Sequence, residues 1–278
     1  DRGLKTIETA SLTNFGKKNY MICLSKNLTD EYVNMFAHGA NLPIKDYDYE
    51  FKDNSIMIRS MGKRKLINWC KENNHTFYYM DSGYIGNYKS KANPHGWKFY
   101  HRIVKNDVQH NEIIDRPSDR WNKLNYPIMD RKQGTHILLV TPSEKPCKFY
   151  GISRDEWVDQ TVAEIKKHTD RPIRIRDKTP RQQRITKTIF QDLDNCHALV
   201  TYQSIAAIES VLYGVPAFTF APTAADPVCD KDISLIENPT VQDLDKIYKW
   251  AHHLAYGQFH IEEFKNGNAY RILINENS

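Results

Sequence analysis

Short apolar runs alternate with longer stretches of helical period along the first third of the chain. "YMICLS" at 20–25 predicts a buried strand, "DEYVNMFAHGA" at 30–40 a helix, and "SIMIRS" at 55–60 a second strand. "GKRKLINWCKEN" at 62–73 follows as a helix and "TFYYMDS" at 76–82 as a strand. A βαβαβ order requires crossovers between parallel strands, so it predicts an open α/β sheet with functional groups at the carboxyl ends of the strands. Residues 83–133, rich in Tyr, Asn, Pro and charge, show no clear period, and a boundary is expected near "DRKQGT" at 130–135. The alternation then resumes. "HILLVTPS" at 136–143, "PIRIRD" at 172–177, "HALVTY" at 197–202 and "PAFTF" at 216–220 read as strands. "SRDEWVDQTVAEIKKHT" at 153–169 reads as an amphipathic helix, its start marked by the S-x-x-E capping box of Ser153 and Glu156. The expected architecture is α/β, with two Rossmann-like domains facing a cleft: residues 1–133, and residues 134–278 ending in helices. A length of 278 residues suits two domains better than one, at about 100–200 residues each. No shorter repeat and no low-complexity segment is visible.

Composition narrows the class. With 40% hydrophobic and 26% charged residues, and no apolar run near the roughly 20 residues that span a bilayer, a soluble protein without a membrane span is expected. The first twenty residues lack the apolar stretch of a secretory signal, which predicts a cytoplasmic location, although the chain does not begin with Met. Cys23, Cys70, Cys147, Cys196 and Cys229 are odd in number and scattered, so neither a disulfide framework nor a zinc site is indicated. The net charge is +5. Basic residues gather in "GKRK" at 62–65, in "RPIRIRDKTPRQQR" at 171–184, and among aromatic residues in "NYKSKANPHGWKFYHR" at 87–102. Such interleaving suits phosphates and bases, and it also occurs on ordinary solvated faces.

The segment "TYQSIAAIESVLYGVPAFTF" at 201–220 carries the most chemistry. A strand ending at Tyr202 delivers Gln203 and Ser204 to a helix start, where unpaired N–H groups and the helix dipole favour an anion such as phosphate. Glu209, in the second turn, is placed to reach the two hydroxyls of a ribose. Gly214 closes the helix and Pro216 follows at once. Ser204 as a plain N-cap and Glu209 as a solvated charge fit the same residues.

Taken together, Ser204, Glu209, Gly214 and Pro216 form S-x(4)-E-x(4)-G-x-P after a short apolar strand in a second Rossmann-like half. This resembles the nucleotide-sugar-binding segment of GT-B glycosyltransferases and the related sugar-nucleotide 2-epimerases, over about residues 134–235. The resemblance implies that Gln203 and Ser204 hold a donor diphosphate and Glu209 its ribose. It further implies that cations after the strand at 172–177 neutralise the leaving diphosphate, which selects Arg176 and Lys178, with Arg181 and Arg184 in reserve. A basic exposed loop is the alternative there. No G-x-G-x-x-G phosphate loop is present, as expected for this family.

In the first half, Asp81 ends the aromatic strand before Gly83 and is expected to project into the cleft. An inverting sugar transfer needs a carboxylate or His to accept the proton of the acceptor hydroxyl, and Asp81 fits that position, as does a residue that only caps the next turn. His38 is the other catalytic candidate; His95 and His101 rank below it. The basic clusters and small size resemble bacteriophage enzymes that glycosylate hydroxymethylated pyrimidines in DNA. That resemblance implies an acceptor surface of Lys63, Arg64, Lys65, Tyr84, Trp97, Lys98 and Arg102, with Tyr84 or Trp97 stacking on a base. The expectation is therefore a metal-independent glycosyltransferase with no permanent cofactor, using a nucleotide-sugar, UDP-linked by preference, and double-stranded DNA. A sugar-nucleotide epimerase and a non-catalytic nucleic-acid-binding protein are the alternatives.

Overall fold

The computed structural model describes residues 20–51, 54–87, 96–131, 133–177 and 188–275. Its first sheet is assembled from β1 (Ile22–Leu24), β2 (Ile44–Lys45), β3 (Ile56–Arg59), β4 (Phe77–Ser82) and β5 (Tyr100–Lys105), with α1 (Glu31–Gly39) after β1 and α2 (Arg64–Glu72) after β3. A short helix, α3 (Asp119–Leu124), lies in the connection to the second sheet. That sheet contains β6 (His136–Val140), β7 (Ile173–Arg176), β8 (Cys196–Thr201) and β9 (Ala217–Thr219). Around it lie α4 (Glu144–Tyr150), α5 (Arg154–Ile165), α6 (Ile189–Leu193) and α7 (Ala206–Leu212). The chain then runs through α8 (Leu244–Tyr256) into β10 (Gln258–His260), α9 (Ile261–Lys265) and α10 (Asn268–Asn275).

The second sheet is parallel throughout and the first is parallel from β2 to β4, as the alternation predicts, while β5 joins β4 antiparallel. The first has the order β10-β5-β4-β3-β1-β2 and the second β7-β6-β8-β9. β6 and β8 are buried along their whole length, which is why they read as unbroken apolar runs. Ser153 caps α5 as its sequence suggests, its Oγ accepting the Glu156 N–H at 3.4 Å.

The C-terminal end departs from a simple division at residue 134. β10 pairs antiparallel with β5, so it extends the first sheet rather than the second. Phe264, Ala269 and Leu273, from α9 and α10, bury themselves with Val33 and Phe36 of α1. The approach is close: a Cβ on Gly39 would lie 1.8 Å from the Phe264 carbonyl oxygen, so only glycine lets α1 and α9 meet this way. Gln258 adds a polar anchor. Its Oε1 accepts the N–H groups of Tyr84 and Ile85 at 2.7 and 2.9 Å, and its Nε2 donates to the Ile85 carbonyl at 2.9 Å. The backbone after β4 is thereby satisfied by a residue far along the chain.

No helix among the described residues is long and apolar enough to cross a membrane.

Candidate active site

Strand order locates a crevice in each sheet. From β1 the chain passes to β2 on one side, and from β3 to β4 on the other, so the loops after β1 and β3 part at their carboxyl ends. The same happens after β6 and β8, which lead to β7 and β9 on opposite sides. Ligands of open α/β sheets bind at such points. The two crevices face each other. Gln203, after β8, places its Nε2 3.8 Å from the sulfur of Met61, after β3. Beside this contact Arg64 donates to the Lys148 carbonyl at 3.2 Å, and Phe149 and Tyr150 of α4 pack against the cluster that contains Met61.

On the first sheet, Ser25 follows β1 fully buried, and its Oγ accepts the Asp30 N–H at 2.9 Å. Asp30 caps α1 and pairs with Arg59 at 2.9 Å, and the Arg59 guanidinium lies 4.8 Å from the centre of the Tyr32 ring. Ser60 follows with φ of 78°, a conformation that residues with side chains rarely adopt. Arg59, Asp30 and Ser25 escaped the sequence analysis. The rule that selected Asp81, a charged residue closing an apolar strand, applies equally to Arg59 in "SIMIRS".

Asp81 is the last residue but one of β4, one strand away, and is half-buried. Its Oδ2 accepts the Tyr79 hydroxyl and its Oδ1 the Ser82 N–H, both at 2.7 Å, and Arg102 stands 3.8 Å away. Burial pushes the carboxyl up, but the Arg102 charge and these two hydrogen bonds outweigh it and hold it below the usual carboxylate range. Asp81 is thus an oriented, ionised carboxylate.

Three expected roles conflict with the structure. Arg102 is 4% exposed, lies directly opposite Asp81 in the ladder, and donates to the Ser82 carbonyl at 2.8 Å. It is a buried counter-charge, turned away from any nucleic-acid backbone. Tyr84 is 2% exposed with its hydroxyl 3.0 Å from His110 Nδ1, so it presents no face for stacking. His38 lies in the last turn of α1. That helix runs back from the carboxyl end of β1, which carries His38 to the opposite edge of the sheet.

The remaining residues fall as follows. Lys63 sits 3.6 Å over the Tyr47 ring, and Lys65 is exposed beside Arg64. The Lys98 carbonyl accepts from His101 Nε2 at 3.1 Å. The Trp97 side chain, His95, Lys178, Arg181 and Arg184 lie outside the described residues. Arg176 is ion-paired with Asp192 of α6. In α7 every residue except Glu209 is buried, which answers why a carboxylate survives in so apolar a helix: it occupies the one position facing outward. Ser204 accepts the Ala206 N–H on its Oγ at 3.2 Å and the Ala207 N–H on its carbonyl at 3.0 Å. Gln203 is 7% exposed, and its Oε1 has no partner among the described residues.

No protein-family model and no curated protein matches the sequence. Solved structures do. The KpsC β-Kdo 2,4-transferase of Thermosulfurimonas dismutans aligns over 84% of this chain and 90% of its own, with a TM-score of 0.50 and 11% identity. The KpsC β-Kdo 2,7-transferase of the same organism aligns over 91% of this chain and 100% of its own, with a TM-score of 0.50 and 9% identity. At such identities the likeness is one of fold, and it agrees with the Rossmann-like α/β architecture.

Proposed function

We propose that this protein is a glycosyltransferase that moves a sugar from a nucleotide-sugar to an acceptor hydroxyl. The observation that carries this is the meeting of two α/β crevices at Gln203 and Met61, one entered by the S-x(4)-E helix and the other flanked, one strand away, by an oriented carboxylate. The named activity of both KpsC neighbours supports it. Gln203 and Ser204 hold the diphosphate, Glu209 the ribose, and Arg176 with Lys178 neutralises the departing group without a metal. In the chemical step the acceptor oxygen bonds to the anomeric carbon, the bond from that carbon to the diphosphate breaks with its electron pair leaving on the diphosphate, and Asp81 takes the hydroxyl proton.

For the acceptor we propose DNA bearing hydroxymethylated pyrimidines, in the cytoplasm, with Lys63, Arg64, Lys65 and Lys98 facing its phosphates and Trp97 stacking on a base. With Arg102 and Tyr84 withdrawn this surface is smaller than the sequence implied. That reduction favours a second reading, in which the acceptor is a carbohydrate. Salt separates the two. DNA binding through three or four phosphate contacts is expected to fall with a log–log slope of roughly −3, about −0.9 per contact; a slope near zero rules DNA out in favour of a sugar.

The test of the whole is to incubate the protein with a panel of UDP-sugars and with DNA containing hydroxymethylated bases, or oligosaccharides, and to follow nucleotide release. Acceptor-dependent release supports transfer. Conversion of the UDP-sugar into its epimer without acceptor points to the epimerase class, and DNA affinity without donor binding to a non-catalytic protein. Within this scheme Glu209→Ala is expected to weaken donor binding by about 1.5–3 kcal/mol, as for a lost charge-assisted contact, while the fold survives because Glu209 is the outward position of α7. Unchanged donor affinity in titration calorimetry removes the ribose role.

A further inference from the structure

The inner side of α8 is fully occupied. Trp250, Ala251 and Leu254 are buried in the core beside the second sheet, and Trp250 Nε1 donates to the Ala224 carbonyl at 2.7 Å. A helix anchored in this way needs no apolar residue on its outer side. It carries them nonetheless. Val241, two residues before the cap Asp243, is 74% exposed, Leu244 49% and Tyr248 40%, and among the described residues no other three large apolar side chains so exposed lie this close in sequence. Single exposed apolar side chains are ordinary, whereas a group of them marks a surface that meets something.

The charges beside this group indicate what it meets. Leu244 and Tyr248 are four residues apart and so stand in one row along the helix. Asp245 and Lys249 form a second, exposed row one residue further on, ion-paired with each other at 2.9 Å. When two copies of α8 lie antiparallel about a two-fold axis, each row faces itself in reverse. Leu244 of one copy then meets Tyr248 of the other, and Asp245 meets Lys249, each contact being made twice. The midpoints of the two rows fall at positions 246 and 247, about 1.5 Å apart along the helix, so one axis serves both. Val241 and His252, whose ring centroid lies 6.2 Å from that of Tyr248, share that midpoint and stand at the two ends. Other occupants fit less well. A nucleic acid or an anionic membrane is repelled by the exposed Asp243 and Asp245 as it is attracted by Lys246 and Lys249, and a parallel copy sets Asp245 against Asp245.

We infer that the outer face of α8 is a contact between two copies of this chain, paired antiparallel across a two-fold axis. About three turns of helix from each copy bury less than the roughly 1,200 Å² at which stable interfaces begin. The dimer is therefore weak and depends on concentration. The inference does not rest on the glycosyltransferase reading, because no residue given a role in transfer takes part in it.

Sedimentation velocity of the full chain, from about 1 µM to about 1 mM, is expected to show a monomer that passes into a dimer. Nothing larger should form, because a two-fold contact closes on itself. Asp245→Lys sets lysine against lysine across the axis, and Lys249→Glu sets acid against acid, so each is expected to raise the dissociation constant by about tenfold or more. The two variants mixed together restore opposite charges at both contacts. The mixture should therefore associate nearly as the wild-type chain does, although neither variant does so alone. Tyr248→Ser removes a ring from the apolar row and should weaken the dimer as well, and because all three positions are exposed, circular dichroism of each variant should match the wild type. Wild-type association by both charge variants overturns the inference, since the contact then lies elsewhere. Loss in both folded variants without recovery in the mixture overturns it too, because the two charges then do not face each other. A wild-type chain that stays monomeric throughout the range excludes the second copy and leaves the face to a foreign partner.

Discussion

Asp81→Asn is expected to bind the nucleotide-sugar as the wild-type protein does and to lose about 10²- to 10⁴-fold in turnover, the range that a positioned general base contributes. The geometry makes the substitution informative. An amide is isosteric with the carboxylate but can accept from only one of its two present donors, the Tyr79 hydroxyl and the Ser82 N–H. It also removes the charge opposite the buried Arg102. Because that guanidinium then lies unpaired, a thermal midpoint should be recorded beside the rates, so that a loss of fold is not read as a loss of base. The loss should sit toward the lower end of the range, since a carboxylate held below its usual pKa is a weaker base. Tyr79→Phe gives a separate readout. Removing a hydrogen bond to the charged form raises the Asp81 pKa, so the acid limb of the pH–rate profile should move to higher pH. Wild-type turnover by Asp81→Asn excludes the base role. It does not pass that role to His38, which lies at the far edge of the sheet.

What the sequence showed of this molecule depended on how each element buries itself. β6 and β8 have both faces covered, so their apolar runs were unmistakable, and Asp81 was found because it closes a similar run. β5 was invisible for the opposite reason. Its buried positions include His101 and Arg102, which read as solvated surface until the partner strand sets Asp81 opposite Arg102. That pairing spans the segment that showed no period, and no local pattern announces it. β10 is three residues long and opens with a buried Gln258, whose purpose is visible only beside the Tyr84 and Ile85 backbone. Tyr84 and Arg102 read as part of a nucleic-acid surface on the same account, although both are buried. Composition gives the charge of a residue, while the counter-charge that takes it inside belongs to the fold.

A second large effect is expected in acid. His101 and His253 are 2% and 3% exposed. Burial, reinforced by Arg59 beside His101 and by Arg116 near His253, pushes both imidazoles down to about 4. His110 is also pushed down, by burial first and then by His253, whose ring centroid is 5.4 Å away, with Arg102 and Arg116 adding to it. The Tyr84 hydroxyl accepts the His110 backbone N–H at 3.2 Å and lies 3.0 Å from its Nδ1. Each folded pKa lies below the unfolded value of 6.5, so the unfolded chain takes up protons first as pH falls. Stability is therefore whole above about pH 6.5 and declines toward pH 4, by about 3 kcal/mol for each of His101 and His253 at the lower limit. Two such losses rival the 5–15 kcal/mol that holds an ordinary domain together. Urea unfolding at intervals between pH 7.5 and 4.5 should show a midpoint that falls steeply through this window, and His253→Phe should make the slope shallower by up to about 1.4 kcal/mol per pH unit. The place of first loosening is also specified. His110 lies where the chain leaves the first sheet after β5, and His253 on α8, where it returns from the second. Hydrogen exchange at pH 5 should therefore rise in residues 106–118 and 250–257 before it rises in β6 and β8. A midpoint that stays level from pH 7 to 4.5, or exchange that begins in the sheets, would show that these imidazoles find solvent in the folded state and do not lock the joint between the two sheets.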